Sequence, residues 1–367
     1  MTRCFFLAAA LILSVSFLGA EDGKRPGKVR LTGDLRFRME SDFDGERADG
    51  APQSDRTRGR ARARLTGAVQ ARPWMLVAAR LRTGAVGSQQ SPHVTLFDLN
   101  GNPLGDRHIV PDQYYLQLSS GRNRLWAGRS QFPFWRQNEI FWDDDVTPTG
   151  VSGKVFIPGA GESLQLIAGL FTLPDGAVRT QGALKAVQLL SETDVESRKI
   201  HLKAAAAFYD IDGRHGVRRL RPEFAVRDYS IVHSGTEIGL DGFRVPIRIG
   251  AEWMRNLNDS GPSHEKRNSG YLVSAALGKA DRPRAASVAY TYARIEKWAI
   301  HPSYGQDDWF RWGTATQTDS SDFKGHEWRL DYRLSDHLSV MGRAFSVDAL
   351  SDSKRAKRLR LDLNYRF

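Results

Sequence analysis

A strict alternation of apolar and polar residues in long runs constrains the fold of this chain more than any other feature. From Val29 to Glu40 every second residue is apolar or glycine, and the residues between them are charged or threonine. Successive side chains of a strand point to opposite faces, so this period predicts a β-strand with one apolar and one polar face. The same period recurs at residues 56–70, 243–254 and 323–334, and only 184–195 also fits one or two helical turns. The sequence therefore predicts an all-β protein.

Short turns and long polar connections alternate along the chain. The short turns are predicted at residues 71–73, 119–123, 158–161, 192–196, 241–242, 281–283 and 335–337. The long connections are predicted at residues 41–55, 84–108, 130–148, 173–180, 210–222, 256–267, 297–322 and 349–355. Bacterial outer-membrane barrels show this asymmetry, which predicts a transmembrane antiparallel up-and-down β-barrel of about 16 strands with short periplasmic turns and long external loops.

A water-soluble β-sandwich is the alternative, because its strands also alternate. The predicted strands run about 10 to 14 residues, which is longer than the usual five or six but suits a tilted crossing of a bilayer. Aromatic residues also lie near strand ends, where membrane girdles form. They are Trp74, Tyr271, Tyr365 and Phe367. Both observations favour the barrel.

The first twenty residues have the layout of a secretory signal. Arg3 precedes an apolar run at about 5–18, and small residues stand before Glu21. The run is shorter than the roughly 20 residues that a membrane-spanning helix needs, so export is predicted. The single cysteine, Cys4, lies inside this signal, so we expect no disulfide, zinc or thiol chemistry in the mature chain.

These signals give a simple domain organisation. Residues 1–20 are expected to be a cleaved signal peptide, residues 21–27 a short N-terminal segment, and residues 28–367 the barrel. The expected location is the outer membrane of a Gram-negative bacterium, with outer-membrane lipid as a partner.

The last predicted strand, residues 358–367, ends in Phe367. Its leucines and aromatics would face lipid, while its charged residues and asparagine would face the lumen. A C-terminal aromatic on this alternation resembles the signal by which the barrel-assembly machinery recognises its substrates, and we expect Phe367 to act in that way. A soluble edge strand that ends in phenylalanine is the alternative.

Several motifs resemble the putative-porin family of Gram-negative outer membranes, and they follow one another along most of the mature chain. They are TGDLRFRME at 32–40, RTRGRARARL at 56–65, LRTG at 81–84, PDQYY at 111–115, FPFW at 132–135, WDDDV at 142–146 and KGHE at 324–327. The resemblance implies a 16-stranded, water-filled barrel for passive diffusion of small polar solutes. Trimers are common among such porins, so a homotrimer is left open.

Arginines dominate the polar faces of the predicted strands, and the formal net charge is +11. An exported protein seldom meets nucleic acid, so the charge does not indicate such a partner. The arginines predicted to line the lumen are Arg36, Arg38, Arg58, Arg60, Arg62, Arg64, Arg80, Arg82, Arg329, Arg358 and Arg360.

Strands 1 to 3 and the last strand would adjoin on closure, which would place Arg358, Arg360 and Arg366 beside Arg36 and Arg38. A wall of guanidinium groups favours anions, since each binds carboxylate or phosphate in a forked geometry. Interleaved acids leave open a neutralised, structural ladder. These acids are Asp34, Glu40, Asp331 and Asp362.

The third long connection, residues 130–148, suits a segment folded into the lumen. Its expected anchors are Phe132, Phe134, Trp135 and Trp142, together with Ile140 and Phe141. Its acids, Asp143, Asp144 and Asp145, would oppose the arginines and create a transverse field across a constriction. The alternative is an exposed or calcium-binding acidic cluster.

Motifs of common enzyme classes were not found: the sequence has no G-x-S-x-G, H-E-x-x-H, P-loop or G-x-G-x-x-G pattern. We expect neither enzymatic activity nor a cofactor. The leading hypothesis is a porin that passes small polar or anionic solutes. The alternatives are a non-conducting barrel that serves as an adhesin or envelope anchor, and a barrel-type lipid hydrolase.

Overall fold

The computed structural model describes residues 29–157, 163–212, 228–258, 267–309 and 320–367. The predicted signal peptide (1–20), the segment 21–27 and the predicted turn at 158–161 lie outside the described residues.

Within the described residues, sixteen antiparallel strands form the barrel. They are β1 (Val29–Glu46), β2 (Arg56–Arg72), β3 (Met75–Gly84), β4 (His108–Ser120), β5 (Asn123–Arg129), β6 (Thr149–Phe156), β7 (Leu164–Asp175), β8 (Arg179–Val195), β9 (Ile200–Asp212), β10 (Tyr229–Leu240), β11 (Ile247–Asn256), β12 (Ser269–Gly278), β13 (Ala286–Ile295), β14 (Phe323–Arg333), β15 (Leu338–Ala349) and β16 (Arg355–Arg366). Two short strands, Pro52–Gln53 and Val94–Asp98, pair with β1 and β2 in the connections.

Each barrel strand pairs with its neighbours in sequence, and β1 also pairs with β16. The sheet therefore closes, and none of the described barrel strands is left as a free edge. The predicted all-β, up-and-down barrel is confirmed, and the ambiguous stretch 184–195 is part of β8. Among the described residues, no helix has the length and apolar character needed to cross a membrane.

One end of the barrel carries both β1's start and β16's end, and we call it the turn end; the opposite end is the loop end. The predicted long connections join strands at the loop end, although the one at 173–180 is a turn of only three residues, 176–178. Arg179 pairs with Asp175, so the β7–β8 ladder continues almost to the tip. Gly176, with φ of +86°, closes the turn in a conformation that favours glycine.

The alternation predicted for β16 is reproduced in its burial. Leu361 and Leu363 on the outer face are 55% and 40% exposed, whereas the intervening Asp362 is fully buried on the inner face. Apolar side chains cover the outside of the other strands in the same way. The outer face therefore suits lipid and the inner face suits water and ions.

The terminal residue completes the closure between β16 and β1. Phe367 and Gly33 exchange two backbone hydrogen bonds of 3.0 and 3.1 Å. The Phe367 ring covers Gly33, where an added Cβ would lie only 2.5 Å from the ring. Glycine is needed here because the aromatic ring occupies the place of a side chain.

Candidate pore lining and third loop

The register of the closing strands places opposite charges side by side. On β1 and β16, Arg38 lies opposite Asp362, Glu40 opposite Arg360 and Asp42 opposite Arg358. Arg366 lies opposite Asp34. The β16 arginines therefore lie opposite acids of β1, and not opposite Arg36 and Arg38 as expected, which face Asn364 and Asp362. Facing strands of like charge would repel, and this register avoids that cost.

Glu40 is the centre of one buried ion cluster. Its carboxylate accepts from Arg58 with a Nε–Oε1 distance of 2.8 Å and from Arg360 with a Nε–Oε2 distance of 2.6 Å. Arg60 lies 3.8 Å away and also donates to Ser91. Burying any one of these charges without a partner of opposite sign would cost free energy. Each charge therefore stabilises the buried position of the others.

A second cluster joins β1 and β2 to the third long connection. Asp34 accepts from Arg62 and Arg64, each at 2.7 Å. Asp145 of the loop lies 2.8 Å from Arg64 and 3.7 Å from Arg62. Of the three loop acids, Asp145 is the one that forms ion pairs with these arginines.

Asp112 of β4 neutralises the arginines of β3. It accepts two hydrogen bonds from Arg80, of 2.9 and 2.7 Å, and lies 3.5 Å from Arg82. Sequence reasoning did not select Asp112 as a partner, although it belongs to the PDQYY motif. Its pairing depends on the register between β3 and β4, which the sequence pattern does not give.

The far side of the arginine wall is also paired. Arg329 on β14 makes a forked contact with Asp331, with distances of 2.7 and 3.0 Å. Arg343 on β15 donates to Glu327 at 2.6 Å. Arg36 of β1 is less closely paired, with a 2.6 Å bond to Asn364 and Asp362 at 3.7 Å.

Asp308, in the long connection 297–322, is a functional candidate that the sequence reasoning missed. Its carboxylate contacts Arg343 and Arg360 and lies 3.5 Å from Arg38. Its backbone carbonyl accepts from Arg358 at 2.9 Å. Burial would raise the pKa of Asp308, but the surrounding arginines hold it well below its usual value. The available signal was an Asp-Asp-Trp sequence that mirrors the Trp-Asp-Asp-Asp of the third connection.

We call residues 130–148 the third loop. Its aromatic residues pack against the inner wall rather than face solvent. Phe132 stacks on Trp142 at 4.2 Å between ring centroids, and both Phe132 and Phe134 contact Tyr209 of β9. Trp135 donates its backbone N–H to Gln188 of β8 at 2.7 Å.

The third loop also reaches strands far from its own ends. The side chain of Gln137 donates to Ser274 of β12, while its backbone N–H donates to Glu252 of β11. Asp143 donates its N–H to the carbonyl of Tyr304 in the connection 297–322 at 2.7 Å. These contacts extend the loop across the inside of the barrel.

The three loop acids have different surroundings. Burial, with the carboxylates of Asp145 and Asp307, raises the pKa of Asp143 well above its usual value. Burial would raise the pKa of Asp145 too, but Arg62 and Arg64 lower it below the usual value. Asp144 is exposed and pairs with Arg136 of the same loop. The acidic run is therefore not one uniform surface.

Three cavities lie between the third loop and the turn end, and they share lining residues. The first, of about 320 Å³, separates the arginine wall from the loop acids. The second, of about 410 Å³, lies beside it against β11 to β15, and the third, of about 360 Å³, reaches the turns at the turn end. Arg329 and Asp331 line all three.

The described residues contain no group of three or more His, Cys, Asp or Glu side chains arranged to hold a metal ion. The third-loop acids meet arginines instead, at Arg62, Arg64 and Arg136.

The barrel resembles solved outer-membrane proteins in fold. A structure of OprB from Pseudomonas putida has a TM-score of 0.59 at 11% identity, covering 93% of this chain and 94% of that chain. A loop-deletion variant of OmpT, an outer membrane protein of Vibrio cholerae, has a TM-score of 0.52 at 11% identity, covering 93% and 99%. A variant of the Rhodopseudomonas blastica porin has a TM-score of 0.52 at 13% identity, covering 93% and 100%. No curated protein matches the sequence of this chain.

A family model gives the more specific result. Residues 49–228 match the family described as Putative porin. This match begins in the first long connection and includes the arginines of β2 and β3 and the whole third loop. The expected family resemblance is confirmed: the chain matches the putative-porin family over residues 49–228 and folds as the closed 16-stranded β-barrel of porins.

Proposed function

We propose that this protein is an outer-membrane porin that lets small polar solutes diffuse passively through the barrel. The observation that carries the proposal is the set of three polar cavities with shared lining residues between the third loop and the turn end. Their walls hold charged side chains in a barrel whose outside is apolar. Such a lining replaces part of the hydration of a solute, whereas a filled apolar interior would not.

The third loop is proposed to narrow this path. It is anchored on one side by Phe132 and Trp142 and held on the other by the Asp145–Arg64 ion pair. Between these attachments its acids face Arg36, Arg38 and Arg62 across the cavity of about 320 Å³. Opposed charges at a narrow point orient dipolar solutes and filter them by charge.

A preference for anions is the finer part of the proposal. Most arginines of the wall are paired with carboxylates, so the net charge of these ion clusters is small. The preference for anions must therefore come from arginines that have no carboxylate partner. Its size is therefore expected to be modest and to fall as salt screens the exposed charges.

Liposome swelling tests the proposed function. Purified protein reconstituted in vesicles should admit small sugars and amino acids, with entry rates that fall as solute size increases. The control is the same vesicles without protein. Vesicles that remain as tight as protein-free ones would reject the porin and favour a non-conducting anchor or adhesin. Lipid hydrolysis that a serine-directed inhibitor blocks would favour the hydrolase.

Assembly through the C-terminus is a further part of the proposal. Phe367 is proposed to be recognised by the barrel-assembly machinery, because it ends the closing strand and seals it against Gly33. Deletion of Phe367 should lower the amount of protein that reaches the outer membrane, while total synthesis stays unchanged. Equal membrane levels would contradict this role.

A further inference from the structure

The lumen contains two kinds of arginine, and the difference is visible in their partners. Arg58, Arg64 and Arg360 each have a carboxylate within 2.8 Å. Arg248 on β11 and Arg366 on β16 are exposed, and their side chains form no ion pair with any described carboxylate. An arginine whose charge is already matched has little left for a passing solute, whereas an unmatched one can bind an oxyanion.

Both unmatched arginines line the cavity at the turn end. Arg329 and Arg333 line it too. Arg333 donates to the carbonyl oxygens of Ser335 and Asp336, at 3.2 and 2.7 Å, so these bonds leave its positive charge uncompensated.

The balance of charge differs between this cavity and the one under the third loop. The cavity under the loop is lined by seven arginines and seven carboxylates. The cavity at the turn end is lined by five arginines and lysines but only three aspartates. The cavity under the third loop is therefore nearly neutral, and the excess positive charge lies nearer the turn end, although Arg329 and Arg366 line both cavities.

We propose that the anion-selective site of this pore is the turn-end cluster, defined as Arg248, Arg333 and Arg366, rather than the paired arginine wall beneath the third loop. The cluster would take small oxyanions, that is carboxylate or phosphate groups, in forked contacts from Arg248 and Arg366. This inference rests on the proposed porin function. It assigns charge selection and narrowing to different places along the path.

The test uses purified full-length protein in planar bilayers under a tenfold KCl gradient. The double variant Arg248→Gln, Arg366→Gln should lower the ratio of chloride to potassium permeability by about threefold or more, because it removes unmatched cations from the path. The matched control is Arg355→Gln, Lys357→Gln. It removes the same charge from the outer, loop-end side of β16 and should leave the ratio within error of the parent.

A second double variant should shift the selectivity in the opposite direction, which a misfolded protein would not do. Asp281→Asn, Asp336→Asn removes two exposed carboxylates from the same cavity and should raise the chloride preference. Inorganic phosphate should reduce the chloride current of the parent, and this block should weaken in Arg248→Gln, Arg366→Gln. Sodium acetate in place of phosphate shows whether carboxylates compete equally.

The outcomes separate the two levels of the proposal. A protein without conductance would reject the porin function itself. A conducting protein whose reversal potential does not move in Arg248→Gln, Arg366→Gln, or moves equally in the control, would overturn the assignment of selectivity to the turn-end cluster.

Discussion

The inner wall of the barrel has two sectors of opposite character. The charged sector is formed by β14 to β16 and β1 to β3, where arginines and carboxylates pair across the seam. The apolar sector is formed by the parts of β7 to β12 nearer the loop end, and its inner face carries Ile167, Leu184, Tyr209, Ile231, Met254 and Leu272, all 2% exposed or less. One wall carries paired charges, and the other packs against the third loop.

This difference explains why the sequence pattern predicts the strands of the charged sector more clearly than those of the apolar sector. In the charged sector, lipid on one side and ions on the other produce strict alternation. In β8 the inward Leu184 and Leu190 belong to the same buried apolar cluster as Phe132 and Phe134 of the third loop, while the outward Leu189 is exposed on the outer face. Both faces are then apolar, and the two-residue period is lost. That is why residues 184–195 also fitted a helix.

Removal of the main anchor in the apolar sector should have the largest effect. Trp142→Ala empties a buried ring site that stacks on Phe132 and Tyr304. We expect a loss of about 3 to 5 kcal/mol, as for other buried tryptophan truncations, and a larger and noisier conductance because the loop is released. Urea unfolding and single-channel recording measure the two effects. Trp253→Ala, on the lipid face, is the control; equal losses in both variants would contradict the anchor.

Breaking the charged sector at Asp308 should be nearly as severe. Asp308→Asn leaves Arg343 and Arg360 with one buried carboxylate partner fewer each. Loss of one partner in a buried ion cluster costs about 3 kcal/mol. Glu46→Gln, which breaks only the exposed pair with Arg355, should cost less than about 1 kcal/mol. If the midpoint of urea unfolding is the same in both variants as in the parent, the ion clusters do not stabilise the seam between β1 and β16.

The contact between Gly33 and the ring of the C-terminal Phe367, on the outer face of the barrel, should give an effect of intermediate size. Gly33→Val would force the Phe367 ring out of its place, since a Cβ there lies 2.5 Å from the ring. We expect a destabilisation of about 1 to 3 kcal/mol, as for other overpacked sites, seen as a lower temperature of unfolding on semi-native gels. The double variant Gly33→Val, Phe367→Ala should recover part of the loss. If the double variant instead loses as much stability as the two single variants together, the ring contact is not the cause.

The smallest expected effect concerns pH. Burial, followed by the Asp144 carboxylate, raises the pKa of Glu139 in the third loop from 4.5 to about 8. The folded state then holds its proton where the unfolded chain has lost it, so stability falls as pH rises from about 4.5 to 8. Thermal unfolding between pH 5 and 8 should show a shallower decline in Glu139→Gln than in the parent. Parallel curves would contradict the shift.

The sequence predicted the closed barrel, the apolar outer face and the inner arginines because these follow from alternation within single strands. It did not predict their partners. Asp112 and Asp308 meet arginines 32 and 270 residues away in sequence, through strand register and loop folding. The arginines of β16 lie opposite acids of β1 for the same reason: a strand's alternation gives the face of each residue but not the residue opposite.

Thiol labelling in the two sectors tests the central claim most directly, with Cys4, the only native cysteine, replaced by serine. Ser339→Cys lies in the charged sector and lines two of the cavities, whereas Ala207→Cys is buried in the apolar sector. A negatively charged methanethiosulfonate should lower the conductance of Ser339→Cys by about half or more and leave Ala207→Cys unchanged, because solutes pass along the charged wall. Block at Ala207→Cys with none at Ser339→Cys would contradict this division of the lumen.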